Sequence, residues 1–297
     1  MKRLLFIYNP TSGKGKVASS LSNILNRFSK LGWLTTVYPT QCHGDAVKAA
    51  QELGPKFDRV VCAGGDGTLS ETVSGLMGLE SPPTLGYIPV GSTNDCATTF
   101  SLPLDPARAA QVAVQDGIPR PSDIGMLNDQ SFVYVAAFGA FTKVAYDTPQ
   151  ELKNTFGHLA YVMEGIASLP SISPYHLRVE HDGEVIEDNF YFGMVSNALS
   201  IGGIKAPKRE HVVLDDGLFE VNLVKKPVSL LDVADGFQSF MAPGMVSGGA
   251  LVHFQSSHIT FTCDRPLPWT IDGEYGGEAA ENQVHCCQQA LSIVHGI

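Results

Sequence analysis

Apolar and polar positions in the first part of the chain repeat with two different periods. Leu4–Tyr8 is a short apolar run and Leu34–Tyr38 alternates, so both predict β-strands, whereas Val17–Leu31 carries apolar residues at helical spacing. The alternation continues to about residue 120, with further segments at Asp45–Leu53, Arg59–Ala63, Leu69–Met77, Leu85–Val90 and Pro106–Gln115. Strands that alternate with helices need crossover connections, so we expect an α/β domain with a doubly wound, mostly parallel sheet.

From Ser122 onward the pattern changes to short strands separated by turn signals, interrupted by helical stretches at Leu152–Ser168 and Leu230–Phe240. The Pro- and Gly-rich stretch Gly117–Ser122 predicts the domain boundary. We therefore expect residues 1–120 to form the α/β domain and residues 121–287 to form a β-rich, antiparallel, sandwich-type domain. The predicted strands of this second domain are Phe132–Phe138, Tyr175–His181, Asn189–Ser196, Leu218–Val224, His258–Thr262 and Val284–Val294.

The composition narrows the class of protein. The chain has 297 residues, of which 44% are hydrophobic and 17% are charged, as in a folded globular protein. A net charge of −10 argues against nucleic-acid binding, which needs a basic surface. No apolar run is long enough to span a bilayer, and the six cysteines lack paired spacing, so we expect a cytoplasmic protein with reduced thiols.

The segment Gly64–Thr68 carries the strongest candidate chemistry. It follows the apolar run Val60–Ala63 and precedes the helix that begins at Leu69. Bare backbone at a helix N-terminus lets amide N–H groups approach a phosphate. Asp66 would repel that phosphate unless a cation or proton lies between them, so the turn suggests a nucleotide with a metal, or an acid–base role. An ordinary turn with a surface aspartate is the alternative.

Two further loops follow predicted strands and have similar composition. Asn9–Gly15 and Lys16 offer small residues and lysines, although their spacing does not match that of a Walker A loop. Gly91–Asp95 offers hydroxyl and amide groups, with helix capping by Asn94 and Asp95 as the alternative. Ligands of open α/β sheets bind beyond the carboxyl ends of the strands, so the three loops together predict a nucleotide site there.

Two acidic turns in the second half are the other candidates. Leu214–Leu218 has the pattern of a β-turn, and a carboxylate beside exposed turn carbonyls can also hold Mg²⁺. The turn Asp272-Gly273 is followed by Glu274, and either carboxylate can act as a general base. Glu274 is expected one strand step beyond the turn, on the same face as Asp272, and this geometry favours Glu274 slightly.

These motifs occur in an order that closely resembles that of the soluble bacterial diacylglycerol kinases, whose superfamily also contains sphingosine kinases and NAD kinases. The glycine turn is shared across the superfamily, whereas the segment from Ser196 to Leu218 and the final Asp-Gly-Glu point to the lipid-kinase branch. The resemblance covers almost the whole chain and rests on Gly64–Thr68, Gly91–Asp95, Ser196-Asn197-Ala198, Gly202-Gly203, Ala206-Pro207, Asp216-Gly217 and Asp272-Gly273-Glu274.

The resemblance implies an ATP- and Mg²⁺-dependent kinase that phosphorylates the hydroxyl of diacylglycerol or a related lipid alcohol. ATP would lie in the cleft between the two domains, and the last strand, at about residues 288–297, would return to the first domain. Asp66 and Asp95 match carboxylates that the family needs for activity, and Glu274 matches the acceptor of the lipid hydroxyl proton. The nucleotide contacts would come from Asn9, Pro10, Thr11, Ser12, Gly13, Thr40, Gly64, Gly65, Asp66, Gly67, Thr68, Leu69, Ser70 and Ser92.

The resemblance also implies a structural Mg²⁺ site formed by Asp216 and the carbonyl groups of Val213 and Leu218. Lys14 or Lys16, together with Lys153, would tie the two domains together. The chain departs from the family pattern at two positions, where Ser92 replaces a threonine and Ala198 replaces a frequent glycine. The serine keeps the hydroxyl, whereas the alanine leaves the local substrate contacts open.

A lipid substrate implies peripheral association with the inner face of the membrane, and a homodimer is a candidate assembly. The apolar candidates for membrane contact, each more typical of a core position, are Trp33, Phe100–Leu104, Met241–Val246 and Trp269, beside a basic patch of Lys205, Lys208 and Arg209. Three other functions stay open. They are a kinase of sphingoid bases or other lipid alcohols, an NAD kinase, and a non-catalytic regulator that binds nucleotide and lipid.

Overall fold

A computed structural model describes residues 1–139, 173–205, 212–225 and 249–297. The first domain alternates strands and helices, as predicted, and its four strands pair in parallel in the order β2-β1-β3-β4. A π-helical turn follows the last helix. The elements are β1 (Lys2–Tyr8), α1 (Ser12–Lys30), β2 (Trp33–Pro39), α2 (Asp45–Leu53), β3 (Arg59–Gly64), α3 (Asp66–Met77), β4 (Thr84–Pro89), α4 (Asp95–Thr99) and α5 (Pro106–Gln111).

Helices cover both faces of this parallel sheet. Leu4 and Phe6 of β1 share one hydrophobic core with residues of α1 and α5. Leu5 and Ile7 belong to a second core with residues of α2 and α3. Successive side chains of a strand point to opposite faces, so the continuous apolar run of β1 is explained by burial on both sides. The loops that follow β1, β3 and β4 leave the parallel sheet at the same edge, where ligands of open α/β sheets bind.

The second domain is built from antiparallel strands, which confirms the predicted fold class. Its separate core contains aromatic rings in edge contact, such as Phe138 and Trp269, whose centroids are 4.9 Å apart. The strands are β5 (Ile118–Leu127), β6 (Gln130–Phe132), β7 (Val135–Gly139), β8 (Tyr175–His181), β9 (Glu184–Ser196), β10 (Ser200–Ile201), β11 (Ile204–Lys205), β12 (Phe219–Lys225), β13 (Leu251–Ser256), β14 (His258–Ile271) and β15 (Glu274–His295).

The 22-residue strand β15 connects the two domains. It pairs with β14 and β5 in the second domain, and Ile293 pairs in parallel with Leu85 of β4 in the first. One sheet therefore continues through both cores, with the order β13-β12-β9-β7-β14-β15-β4-β3-β1-β2 along its main path in the described part of the chain.

Two predicted segments differ from the structure. The stretch Gly117–Ser122, predicted as a boundary, mostly belongs to β5. At residues 118–122 this strand pairs with β15 on one side only, and an edge position tolerates the missing N–H groups of Pro119 and Pro121. The single strand predicted over Phe132–Phe138 is broken into β6 and β7. The predicted helices Leu152–Ser168 and Leu230–Phe240 lie outside the described residues.

Candidate active site at the junction of the two domains

The three predicted strand-end loops lie against one another. A Cβ atom added to Gly13 would lie 2.1 Å from the carbonyl oxygen of Val90, and one added to Gly91 would lie 2.7 Å from the Cα of Gly65. The amide of Asn9 donates to the carbonyl of Ala63, at 2.9 Å, on the neighbouring strand. The glycines therefore allow close backbone packing of the loops, which brings the predicted nucleotide residues to one edge of the sheet.

Asp66 connects the N-terminal ends of two helices. It is the first residue of α3, and its carboxylate accepts hydrogen bonds from the amides of Asp95 and Cys96, at 3.2 and 3.3 Å, in the first turn of α4. Burial, and then the charge of Asp95, raises the pKa of Asp66, while the two amides lower it. The Asp66 carboxylate thus holds the glycine turn and the loop after β4 together, and the two amides stabilise its ionised form.

Asp95 joins the first domain to the second. The residue is only 3% exposed, and its carboxylate accepts hydrogen bonds from the hydroxyl of Ser200 at 2.6 Å and from the amides of Gly202 and Gly203 at 2.8 and 2.9 Å. These donors belong to the small hairpin of β10 and β11. Asp95 therefore fixes the position of this hairpin over the start of α4.

Asp272 makes a second connection between the domains. Its carboxylate accepts hydrogen bonds from the hydroxyl of Ser70 on α3, at 2.7 Å, and from the amides of Val133, Tyr134 and Val135, at 2.7, 3.0 and 3.2 Å. These amides turn toward the carboxylate, which explains why the predicted strand breaks between β6 and β7. Burial raises the pKa of Asp272 to about 6, although the four hydrogen bonds lower it.

Glu274 has a different environment, although the two carboxylates are two residues apart. Asp272 and Gly273 have φ angles of +49° and +88°, which is the backbone of a tight type I′ hairpin turn between β14 and β15. Both carboxylates approach α3, Asp272 at Ser70 and Glu274 at Gly67, but only Asp272 is buried. The side chain of Glu274 is 56% exposed, and its Oε1 lies 3.0 Å from where a Cβ of Gly67 would be.

The other predicted nucleotide residues have contacts of different kinds. The Oδ1 of Asn9 accepts hydrogen bonds from the amide and the hydroxyl of Thr11, and the amide of Thr40 donates to the carbonyl of Tyr8. The side chain of Leu69 lies in the hydrophobic core, so it packs α3 and does not face the cleft. The hydroxyl of Ser70 donates to Asp272, as described above.

The predicted magnesium turn packs against β5 and β15. Asp216 accepts a hydrogen bond from the amide of Leu218 at 3.0 Å, while Asp123 of β5 accepts bonds from the amides of Gly217 and Gln289, at 2.7 and 2.6 Å. Burial, followed by the charges of Asp216 and Asp215, raises the pKa of Asp123. Sequence reasoning missed Asp123, because no strand was predicted between the boundary Gly117–Ser122 and Phe132, where β5 continues to Leu127.

The carboxylate of Asp216 and the carbonyl groups of Val213 and Leu218 fit a hard cation, because carboxylate and carbonyl oxygens are the ligands that Mg²⁺ prefers. Within the described ranges, however, no group of three or more His, Cys, Asp or Glu residues is arranged to hold a metal. With only Asp216 and the carbonyls of Val213 and Leu218 as protein ligands, an octahedral magnesium ion would need water molecules to complete its coordination.

The apolar candidates for membrane contact lie mostly in the core. Trp33, Phe100 and Trp269 are at most 7% exposed, whereas Leu104 is 55% exposed. Among the described helices none is long and apolar enough to cross a membrane. Several candidates lie outside the described part of the chain, namely Met241–Val246, Lys208, Arg209, Lys153 and the side chains of Lys14 and Lys205. Of the lysines predicted to tie the domains together, Lys16 donates from Nζ to the carbonyl of Leu104 at 3.5 Å, within the first domain.

Comparison with known proteins shows which class of protein has this two-domain architecture. Residues 3–127 match the family model of the diacylglycerol kinase catalytic domain, and residues 135–295 match that of the YegS C-terminal NAD kinase beta sandwich-like domain. The fold and the two matched domains define a lipid kinase that consists of an α/β catalytic domain and a β-sandwich domain.

Relatives that match nearly the whole chain identify the family within this class. The chain is 35% identical to a diacylglycerol kinase of Bacillus subtilis (strain 168), over 93% of this chain and 91% of the relative. It is 33% identical to one from Staphylococcus saprophyticus, over 95% and 92%. A solved structure from Bacillus anthracis str. Sterne, named for the same activity, has a TM-score of 0.83 at 26% identity and covers 99% of this chain and 95% of that one. The chain belongs to the diacylglycerol kinase family, which confirms the resemblance seen in its motifs.

Proposed function

We propose that this kinase transfers the terminal phosphoryl group of ATP to the primary hydroxyl of diacylglycerol, with Mg²⁺ as the required cation. The observation that carries the proposal is the position of Glu274, which is an exposed carboxylate of the second domain beside Gly67 in the glycine turn of the first. A proton acceptor for the lipid alcohol is needed at this point, where the phosphate-binding loops meet the other domain.

The proposed reaction assigns separate tasks to the loops and to Glu274. Backbone amides of the glycine turn, at the start of α3, would bind phosphate oxygens. The acceptor oxygen would attack the terminal phosphorus as the bond to the bridging oxygen of ADP breaks, and Glu274 would take the hydroxyl proton. Mg²⁺ would supply charge neutralisation between the triphosphate and the nearby carboxylates of Asp66 and Asp95.

Asp66 and Asp95 are suited to act through water. Each carboxylate already accepts two or three hydrogen bonds from amide or hydroxyl groups, so both are held in fixed orientations. Mg²⁺ usually keeps several water ligands, and a fixed carboxylate can accept hydrogen bonds from these. Because the acceptor is a lipid, we propose that the enzyme acts at the inner membrane surface by peripheral association. The homodimer and the structural magnesium site at Asp216 stay predictions.

A substrate panel tests the proposal. The purified protein is incubated with labelled ATP and Mg²⁺, and in separate reactions with diacylglycerol in mixed micelles, sphingosine or NAD. We expect phosphorylated diacylglycerol as the main product and no product when EDTA is added. A dominant product from sphingosine would move the assignment to another lipid alcohol, one from NAD would contradict the lipid acceptor, and ATP binding with no product would contradict catalysis.

The close packing of the loops gives a second test. Gly13→Ala should lower kcat/KM for ATP about tenfold, because the added methyl group meets the carbonyl of Val90 and displaces the loop. Gly15→Ala is the matched control, because Gly15 also has a positive φ angle, +79°, but nothing lies within 4 Å of its added methyl group. Equal kcat/KM values for the two variants would contradict a nucleotide role for this contact.

A further inference from the structure

His43 lies between carboxylates of the two domains. It belongs to the loop between β2 and α2, and its Nδ1 lies 3.0 Å from Oε1 of Glu71 on α3 and 3.7 Å from Oε2 of Glu274. The first distance is that of a hydrogen bond, and the second is too long for one but close enough for electrostatic attraction. The imidazole is thus beside the carboxylate that we propose as proton acceptor.

Residues of the first domain fix the position of His43. Glu71 is mostly buried, and its other oxygen accepts a hydrogen bond from the amide of Ala46, at 3.2 Å, in the first turn of α2. Asp45 accepts hydrogen bonds from the amides of Gln41 and Cys42, at 2.7 and 3.1 Å, which closes the loop that carries His43. The imidazole is therefore held by a hydrogen-bonded support, although its own side chain is 78% exposed.

The support is needed because Glu274 itself is weakly constrained. It is the first residue of β15, directly after the Asp272-Gly273 turn, and more than half of its side chain is in solvent. A free glutamate side chain populates several rotamers, of which only some would reach an acceptor hydroxyl beside the glycine turn. The imidazole of His43 on the first domain favours the rotamers that bring the Glu274 carboxylate close to Nδ1, at 3.7 Å.

We propose that His43 is a positioning residue for Glu274, which rests on the function proposed above. By attracting the Glu274 carboxylate, the Glu71-anchored imidazole holds the proton acceptor over Gly67 across the domain junction. His43 has no contact with substrate in this scheme, and the reaction needs no proton from it. Its effect is therefore on kcat, and it acts only through Glu274.

The test measures kcat and both KM values for His43→Ala, Glu274→Gln and the double variant in the full-length protein. We expect His43→Ala to lower kcat about tenfold with the KM for ATP within about twofold. The same substitution should change kcat by less than twofold when Glu274 is already glutamine. His43→Asn, whose amide nitrogen can replace Nδ1–H, should recover part of the loss.

A matched control is His176→Ala, which removes another exposed histidine paired with a glutamate, Glu187, at 3.2 Å. This variant should keep wild-type kcat. Wild-type kcat in His43→Ala, or an equal loss in both Glu274 backgrounds, would overturn the positioning role alone. Full turnover of Glu274→Gln would overturn the proposed base and the role of His43 together, so the two failures are distinguishable.

Discussion

Glu274→Gln should lower kcat by about 10²–10⁴-fold and leave the affinity for ATP and the fold unchanged, because glutamine keeps the shape of the side chain but cannot take a proton. The side chain is exposed at the domain junction, so the substitution buries no new polar group. We expect kcat to fall in a coupled ADP-release assay, while nucleotide binding and the thermal unfolding curve match those of the wild type.

Glu278→Gln is the control for this prediction. Glu278 lies on the same strand, β15, is also exposed, and pairs with Pro268 away from the glycine turn. It should retain wild-type kcat. Wild-type turnover by Glu274→Gln would contradict the proton-acceptor role, and an equal loss in both variants would show that charge on this strand matters in general.

Asp272→Asn should lower the free energy of unfolding by about 2–3 kcal/mol, because an amide nitrogen would face groups that all donate hydrogen bonds. Asp272 is 5% exposed and accepts four of them, one from Ser70 of the other domain. Urea unfolding measures the change. Because the same turn carries Glu274, we expect kcat to fall as well.

Asp182→Asn is the matched control, because Asp182 and Gly183 form a similar turn, with φ angles of +47° and +83°, but the Asp182 side chain is 57% exposed. It should change the unfolding free energy by less than about 0.5 kcal/mol. Ser70→Ala, which removes one donor, should cost about 0.5–1.5 kcal/mol. Equal stability of Asp272→Asn and the wild type would contradict the bridging role of this carboxylate.

The stability difference should depend on pH. Burial raises the pKa of Asp272 to about 6 in the folded protein, whereas an unfolded aspartate titrates near about 3.9. Between these values the folded state retains a proton that the unfolded chain has released. The wild type therefore loses stability through this group as the pH rises from about 4 to about 6, by on the order of 1 kcal/mol per pH unit. Asp272→Asn has no carboxyl group to titrate here, so the difference in unfolding free energy between the wild type and this variant should become smaller as the pH rises over that interval.

The first domain was predictable because its signals are local. The helix α2 has the predicted bounds, Asp45–Leu53, and the glycine turn lies between β3 and α3 as expected. Local signals were weaker in the second domain, where β14 and β15 extend well beyond the predicted His258–Thr262 and Val284–Val294. Their added length is stabilised by pairing with distant strands, which residue pattern alone does not reveal.

The candidate site was only partly predictable for the same reason. Composition indicated the three loops and both carboxylates of the Asp-Gly-Glu turn. Local geometry favoured Glu274 over Asp272 only slightly, because their main difference lies in tertiary donors from Ser70 and from residues 133–135. No local pattern marks His43, which meets Glu274 only because the two domains pack together.

The route of β15 has a consequence for biosynthesis. Ile293 and Val294 are fully buried in a core shared with the first domain, and the amide of Gly296 donates to the carbonyl of Phe100. A nascent chain emerging from the ribosome would present β4 with an unpaired edge until translation has passed the whole second domain. Such an edge can pair with other chains, so the newly made protein would depend on rapid completion, or on chaperones, to avoid aggregation.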